Sequence, residues 1–119
     1  AKVAARADIK ATSRREAAVV RDIRRGKVVV MLFWNAKAAD DVATRNVVRA
    51  LDRHDGRVAV HVVPIGRVGR YESITQGVTI NQTPTTLVID RKRRTRSIIG
   101  FTERGELTQA VNDALAGGR

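Results

Sequence analysis

An α/β fold, with a central mixed β-sheet flanked by helices, is predicted by three features of this 119-residue chain. Two apolar runs of strand length, Val28 to Trp34 and Val58 to Val63, are almost unbroken, as expected of strands covered on both faces. Between them, Ala38 to Arg53 carries apolar residues at helical spacing, so the two runs can lie parallel with a helical crossover between them. Farther on, the polar stretch Arg91 to Thr95 separates two β-prone segments in the pattern of an antiparallel hairpin at a sheet edge.

Residues 1–12 alternate small and charged types without strong periodicity and read as a flexible lead-in, leaving 13–119 as one domain. Ser13-Arg14-Arg15-Glu16 has the spacing of a capping box and starts a first helix, with Ala17, Val20 and Ile23 facing inward beside Val19. Gly26 supplies the left-handed residue that commonly follows a helix end. In the second helix the expected inward positions are Ala43, Val47, Ala50 and Leu51, and Asp40 and Asp41 sit at the positive end of its dipole. The β-branched run at 58–63 makes the second buried strand, limited by Pro64. A short helix over Tyr71 to Gln76 is expected next, interrupted at Gly77 and Asn81. Thr85 to Asp90 and Arg96 to Phe101 form the hairpin strands. Thr102 caps a last helix with Leu107, Ala110, Val111, Ala114 and Leu115 on one face, ending at Gly117 and Gly118.

Composition narrows the function. Apolar residues make up 43% of the chain, and a mean hydropathy of -0.24 is ordinary for a soluble, folded protein. The longest apolar run is far shorter than the ~20 residues of a membrane span, and no signal-peptide pattern is present. The chain opens at Ala1 rather than at a methionine, so an upstream anchor or export signal in a longer protein is compatible with it, and the compartment stays open. There is no cysteine, which removes disulfide, thiolate-metal and thiol-nucleophile chemistry together. Lys and Arg total 23 against 12 acidic residues, a net charge of +11 that favours phosphate polymers or acidic surfaces. An arginine-rich composition that serves only solubility is the plainer explanation, since the cations are scattered along most segments.

The order helix, strand, helix, strand, short helix, hairpin, helix resembles thioredoxin, preceded here by an extra N-terminal helix. Val28 to Trp34 looks like the strand that delivers the family's Phe-Trp pair just before its active site. Thr83-Pro84-Thr85 resembles the cis-proline loop, and Gly100 stands where the family often has a hairpin glycine. The resemblance covers roughly residues 26–115. Aligning the Phe-Trp pairs puts Ala38, Ala39, Asp40 and Asp41 on the family's Cys-Gly-Pro-Cys, so both sulfurs are missing. Leu32 stands where many thioredoxins hold a buried aspartate, and Lys37 replaces the tryptophan before the motif. Disulfide exchange requires a thiolate attacking sulfur, so thioredoxin, isomerase and peroxidase activities are excluded. What the resemblance leaves is a loop whose backbone can pair with an extended peptide, an interaction that needs no cysteine. The alternative is that Pro84 merely preserves the turn.

Other constellations are weaker. Adjacent Asp40 and Asp41 diverge on a helix and lack a histidine at ligand spacing, which favours helix capping over acid-base or metal chemistry. His54 and His61 pair with no candidate nucleophile, and no G-x-S-x-G turn or phosphate loop is present. Neither a catalytic set, a metal site nor a cofactor is expected. The cluster Arg91, Lys92, Arg93, Arg94 and Arg96 would sit at a hairpin tip, at the opposite end of a thioredoxin-like sheet from Pro84. A solvated turn explains it, or contact with nucleic-acid phosphates; with aromatics at only 3% it makes no stacking platform. The leading expectation is a redox-inactive module, binding a protein or peptide through Trp34, Lys37, Ala38, Asp40, Asp41, Thr83 and Pro84, or serving a structural role. Electrostatic nucleic-acid binding through 91–96 is the alternative.

Overall fold

The computed structural model describes residues 14–75 and 80–117. The lead-in 1–12, the Ser13 cap, Gln76 with Gly77, and Gly118 lie outside the described residues. The elements run α1 (Arg14–Arg24), β1 (Val28–Trp34), α2 (Ala39–Arg49), β2 (Val58–Pro64), a 3₁₀ segment (Ile65–Tyr71), α3 (Glu72–Thr75), β3 (Thr85–Ile89), β4 (Thr95–Ile99) and α4 (Arg104–Gly117). The strands form one mixed sheet in the order β2-β1-β3-β4. β1 pairs parallel with β2, Val28 opposite Val58, and antiparallel with β3, Phe33 opposite Thr85; β3 and β4 make the antiparallel hairpin.

The unbroken apolar run of β1 is explained by helices on both sides of it. Its six residues from Val28 to Phe33 have no exposed surface. Val28, Val30 and Leu32 face a core completed by Val48, Leu51, Val58, Leu107 and Val111, under α2 and α4. Val29, Met31 and Phe33 face the other layer, with Val19 of α1, Val63, Tyr71 and Leu87. Each such side chain, fully buried, contributes about 1.5–3 kcal/mol, so β1 is a major source of stability in the fold.

Two helices are turned by about one residue from the sequence expectation. In α1 the buried positions are Glu16 and Val19, while Ala17, Val20 and Ile23 are half-buried. In α2 they are Asp41, Thr44 and Val48, with Val47 partly buried and Ala50 exposed. Polar side chains can occupy that stripe because they bond locally: the Thr44 hydroxyl donates to the Asp40 carbonyl at 2.9 Å, and Asp41 accepts a loop amide. α2 also ends at Arg49, four residues before the expected Arg53. The Leu51 and Ala50 amides turn back to Val48 and Val47 carbonyls, and the Arg53 guanidinium donates to the freed Leu51 and Arg49 carbonyls. Thr102 lies one residue before the helix-capping position of α4, and its hydroxyl donates to the Glu106 carboxylate.

Gly26 closes α1 with φ +75°, its amide donating to the Ile23 carbonyl at 3.1 Å. A Cβ there would meet only Arg91 Cδ, at an ordinary 4.0 Å. Gly26→Ala is therefore expected to cost about 1–2 kcal/mol through backbone conformation alone, read as a lower urea midpoint with an unchanged slope.

Candidate partner-binding site

β1 ends at Trp34, and the chain must then turn to enter α2. Asn35 organises that turn. Its side-chain oxygen accepts from the Lys37 amide at 3.0 Å, and its backbone carbonyl accepts from the Ala38 amide at 3.1 Å. Its own amide donates to Asp41 Oδ2 at 2.7 Å. Ala38 is extended (φ -104°, ψ 129°) at the start of the helix and offers no side-chain cap. The back-bonding Asp41 does that stitching instead, from the first turn, where the helix dipole also favours its charge. Asp41 is 2% exposed whereas Asp40 faces solvent, so the two carboxylates diverge. Among the described residues no three His, Cys, Asp or Glu side chains gather into a group able to hold a metal ion.

The register places the Pro84 loop beside this turn. One step beyond the Phe33–Thr85 pair, Trp34 is next to Pro84 across the sheet. The Thr83-Pro84 peptide bond is cis. Pro84 is buried and its carbonyl accepts from the Gly100 amide at 2.8 Å, while the Thr85 hydroxyl donates to the Gln82 carbonyl at 2.7 Å. Thr83 is half-buried, and among the described residues its amide and carbonyl have no backbone partner. Lys37 is exposed and Ala38 half-buried at the same end. Trp34 is half-buried as well: it packs on the core under α2, with the Arg45 guanidinium 4.8 Å from its ring centroid. That cation covers one ring face, an arrangement worth about 0.5–1 kcal/mol at a partly exposed site.

Two residues that sequence reasoning missed complete this end. Among the described residues Ile99 (62% exposed) and Phe101 (48%) are the exposed large hydrophobics, and they flank Gly100, whose amide is tied to Pro84. Read as the close of a strand, Phe101 carries no signal that it would face solvent; only the left-handed Gly100, φ +90°, redirects it.

The basic hairpin is at the opposite end of the sheet, where Ile89 pairs with Thr95. Asp90 organises it from within. Its carboxylate accepts from the Lys92 amide (2.8 Å), the Arg94 amide (2.9 Å) and Arg94 Nε (2.7 Å). Arg94 also donates to the Gly117 carbonyl at 2.8 Å, and Arg96 lies 3.6 Å from Asp113. Lys92 and Arg93 are exposed beside them, with Arg93 at φ 66°. Burial pushes the Asp90 carboxyl up, but the bonds from Arg94 and Lys92, with the Arg94 charge, outweigh it and hold the group below the usual carboxylate value. A depressed folded-state pKa contributes stability that is complete above the unfolded value of about 3.9 and is lost as pH falls through the folded value. Asp90→Asn is thus expected to cost about 1–3 kcal/mol at pH 7, with the gap from wild type closing below about pH 4; urea titrations at pH 7 and pH 3 check this.

No protein-family model and no curated protein sequence matches the chain. Solved structures do. A chloroplastic thioredoxin z superposes with a TM-score of 0.65 at 19% identity, over 86% of this chain and 90% of that one. The thioredoxin of Fasciola hepatica gives 0.64 at 17% identity, over 82% and 92%. The germline-specific thioredoxin Deadhead of Drosophila melanogaster gives 0.63 at 16% identity, over 87% and 95%. At these identities the likeness is one of fold. The chain has the thioredoxin-like fold without a cysteine, and with Ala38 and Asp41 at the positions the resemblance assigns to the redox pair it holds no thiol for disulfide exchange.

Proposed function

We propose that this domain binds an extended protein segment at the end of the sheet formed by the β1–α2 turn, the Thr83-Pro84 loop and the Ile99–Phe101 edge. The observation that carries the reading is the pair of exposed apolar side chains, Ile99 and Phe101, beside Thr83, whose backbone donor and acceptor lack a backbone partner among the described residues. An extended segment satisfies both needs together: its backbone pairs with Thr83, and a side chain on its near face covers Phe101. Lys37 and Asp40 at the rim supply charges that orient the segment. Without a thiol the capture is noncovalent and reversible.

The test is selection of cysteine-free random dodecapeptides on the purified chain, followed by fluorescence anisotropy with a selected peptide. Phe101→Asp and Thr83→Arg are expected to weaken binding by at least about tenfold, the cost of one lost buried anchor, without a change in melting temperature. Selected peptides that bind both variants as tightly as wild type would remove this surface from the account.

A further inference from the structure

The arginines that look scattered along the chain converge when it folds. The sheet has one end at which β1 and β2 begin, β3 finishes and β4 begins: Val28 lies opposite Val58, Val29 opposite Ile89, and Ile89 opposite Thr95. α1 and α2 both run toward this end and terminate there, bringing exposed Arg24, Arg25 and Arg49. Arg57 precedes β2, its carbonyl accepting from the Val28 amide at 2.9 Å. Lys92 and Arg93 are exposed on the hairpin, and Arg91 lies near the end of α1, its Cδ 4.0 Å from where a Cβ on Gly26 would stand.

The acidic residues at this end are fewer than its cations: Asp90 is buried and held by Arg94, Asp22 is engaged with His61 at 2.8 Å and Lys27 at 3.7 Å, Asp113 lies 3.6 Å from Arg96, and Asp52 and Asp55 are exposed in the loop before β2. Arg53 and Arg57 donate to the neutral carbonyls of Leu51, Arg49 and His54, so their charges stay uncompensated by those contacts. Asp40, Asp41, Glu103 and Glu106 lie at the other end. The excess of cations gives this end a positive field, which attracts polyanions.

We infer that this basic end, assembled from α1, α2, the segment before β2 and the hairpin, binds the phosphate backbone of a nucleic-acid duplex without reading its sequence. This surface is separate from the proposed peptide site, with the length of the sheet between them. Arginine predominates, and its planar fork matches phosphate oxygens in pairs. Among the described residues the exposed large hydrophobics, Ile99 and Phe101, are at the opposite end, so the described surface of this one offers neither a base-stacking platform nor a side chain to insert into lipid. In the order β2-β1-β3-β4 the outer strands are three steps apart, about 14 Å at the usual spacing. Cations at the two margins can therefore reach phosphates on both sides of a groove about 12 Å wide.

The experiment measures anisotropy of a labelled 20-base-pair duplex of random sequence with the full chain at 50–200 mM salt, alongside the single strand and vesicles rich in phosphatidylserine. Duplex affinity is expected to fall with a log-log salt slope of about -4 to -5, the value for about five phosphate contacts. Arg24→Glu with Arg25→Glu, far in sequence from the hairpin, is expected to weaken binding at least about tenfold and to flatten the slope by about two. Lys92→Glu with Arg93→Glu is expected to do the same. Arg104→Glu at the other end and Phe101→Asp are expected to change little, and circular dichroism verifies that each variant is folded. An equal loss with Arg104→Glu would reduce the effect to net charge. An effect of the hairpin pair alone would confine binding to the hairpin, and binding to vesicles but not duplex would reassign the surface to membranes; each overturns the proposal.

Discussion

Phe33→Ala is expected to destabilise this protein by about 3–5 kcal/mol, the largest effect of any single truncation proposed. Phe33 has no exposed surface and is the largest of the fully buried side chains. It belongs to the layer between the sheet and α1 with the 3₁₀ segment, and its ring meets Tyr71 edge-on, centroids 6.2 Å apart at 76°. Truncation removes the transfer energy, leaves a cavity and forfeits the ring contact, itself worth about 0.5–1.5 kcal/mol. Phe33→Leu retains most of the volume and should recover at least half of the loss. Urea unfolding followed by the fluorescence of Trp34 measures both; a Phe33→Ala cost below 1 kcal/mol would mean that this layer is not close-packed.

Asp41→Ala is expected to follow, at about 1–3 kcal/mol. The carboxylate is buried and accepts the Asn35 amide at 2.7 Å, so truncation leaves that amide without its partner and removes a negative charge from the first turn of α2. Asp41→Asn retains an acceptor and should cost less. Amide exchange at Asn35 separates this local cause from a global one: it is expected to accelerate in Asp41→Ala by more than the loss of overall stability explains. Unchanged relative protection at Asn35 would assign the cost elsewhere. Where the resemblance puts the second cysteine of a redox pair, this chain uses a carboxylate to stitch its turn to its helix.

The sheet was legible because its strands are written in uninterrupted β-branched and apolar residues, and because Gly26 and Gly100 punctuate it where φ is positive. The helix faces were less so. A pattern of apolar spacing assigns Val47 and Ala50 to the core of α2, but Thr44 and Asp41 are buried there because each bonds within one or two turns, a compensation that hydropathy does not register. The ends of the sheet were legible only in part. The Trp34 and Pro84 turns follow from local motifs, whereas the exposure of Phe101 depends on the left-handed turn at Gly100, which a strand pattern does not register. The basic end was hidden for another reason: its arginines belong to segments far apart in sequence, and only the parallel crossover and the hairpin bring them together.

The excess of positive charge and, among the described residues, the exposed large hydrophobics thus lie at opposite ends of one sheet. The central claim is that the thioredoxin-like surface survives as a binding surface after its sulfur chemistry has gone. Its most direct test is amide exchange at Thr83, measured by NMR with and without a peptide selected on the chain. Slowed exchange at Thr83, with the Lys92 and Arg93 amides unchanged, is the expected result. Exchange at Thr83 that is indifferent to a saturating peptide would contradict the claim.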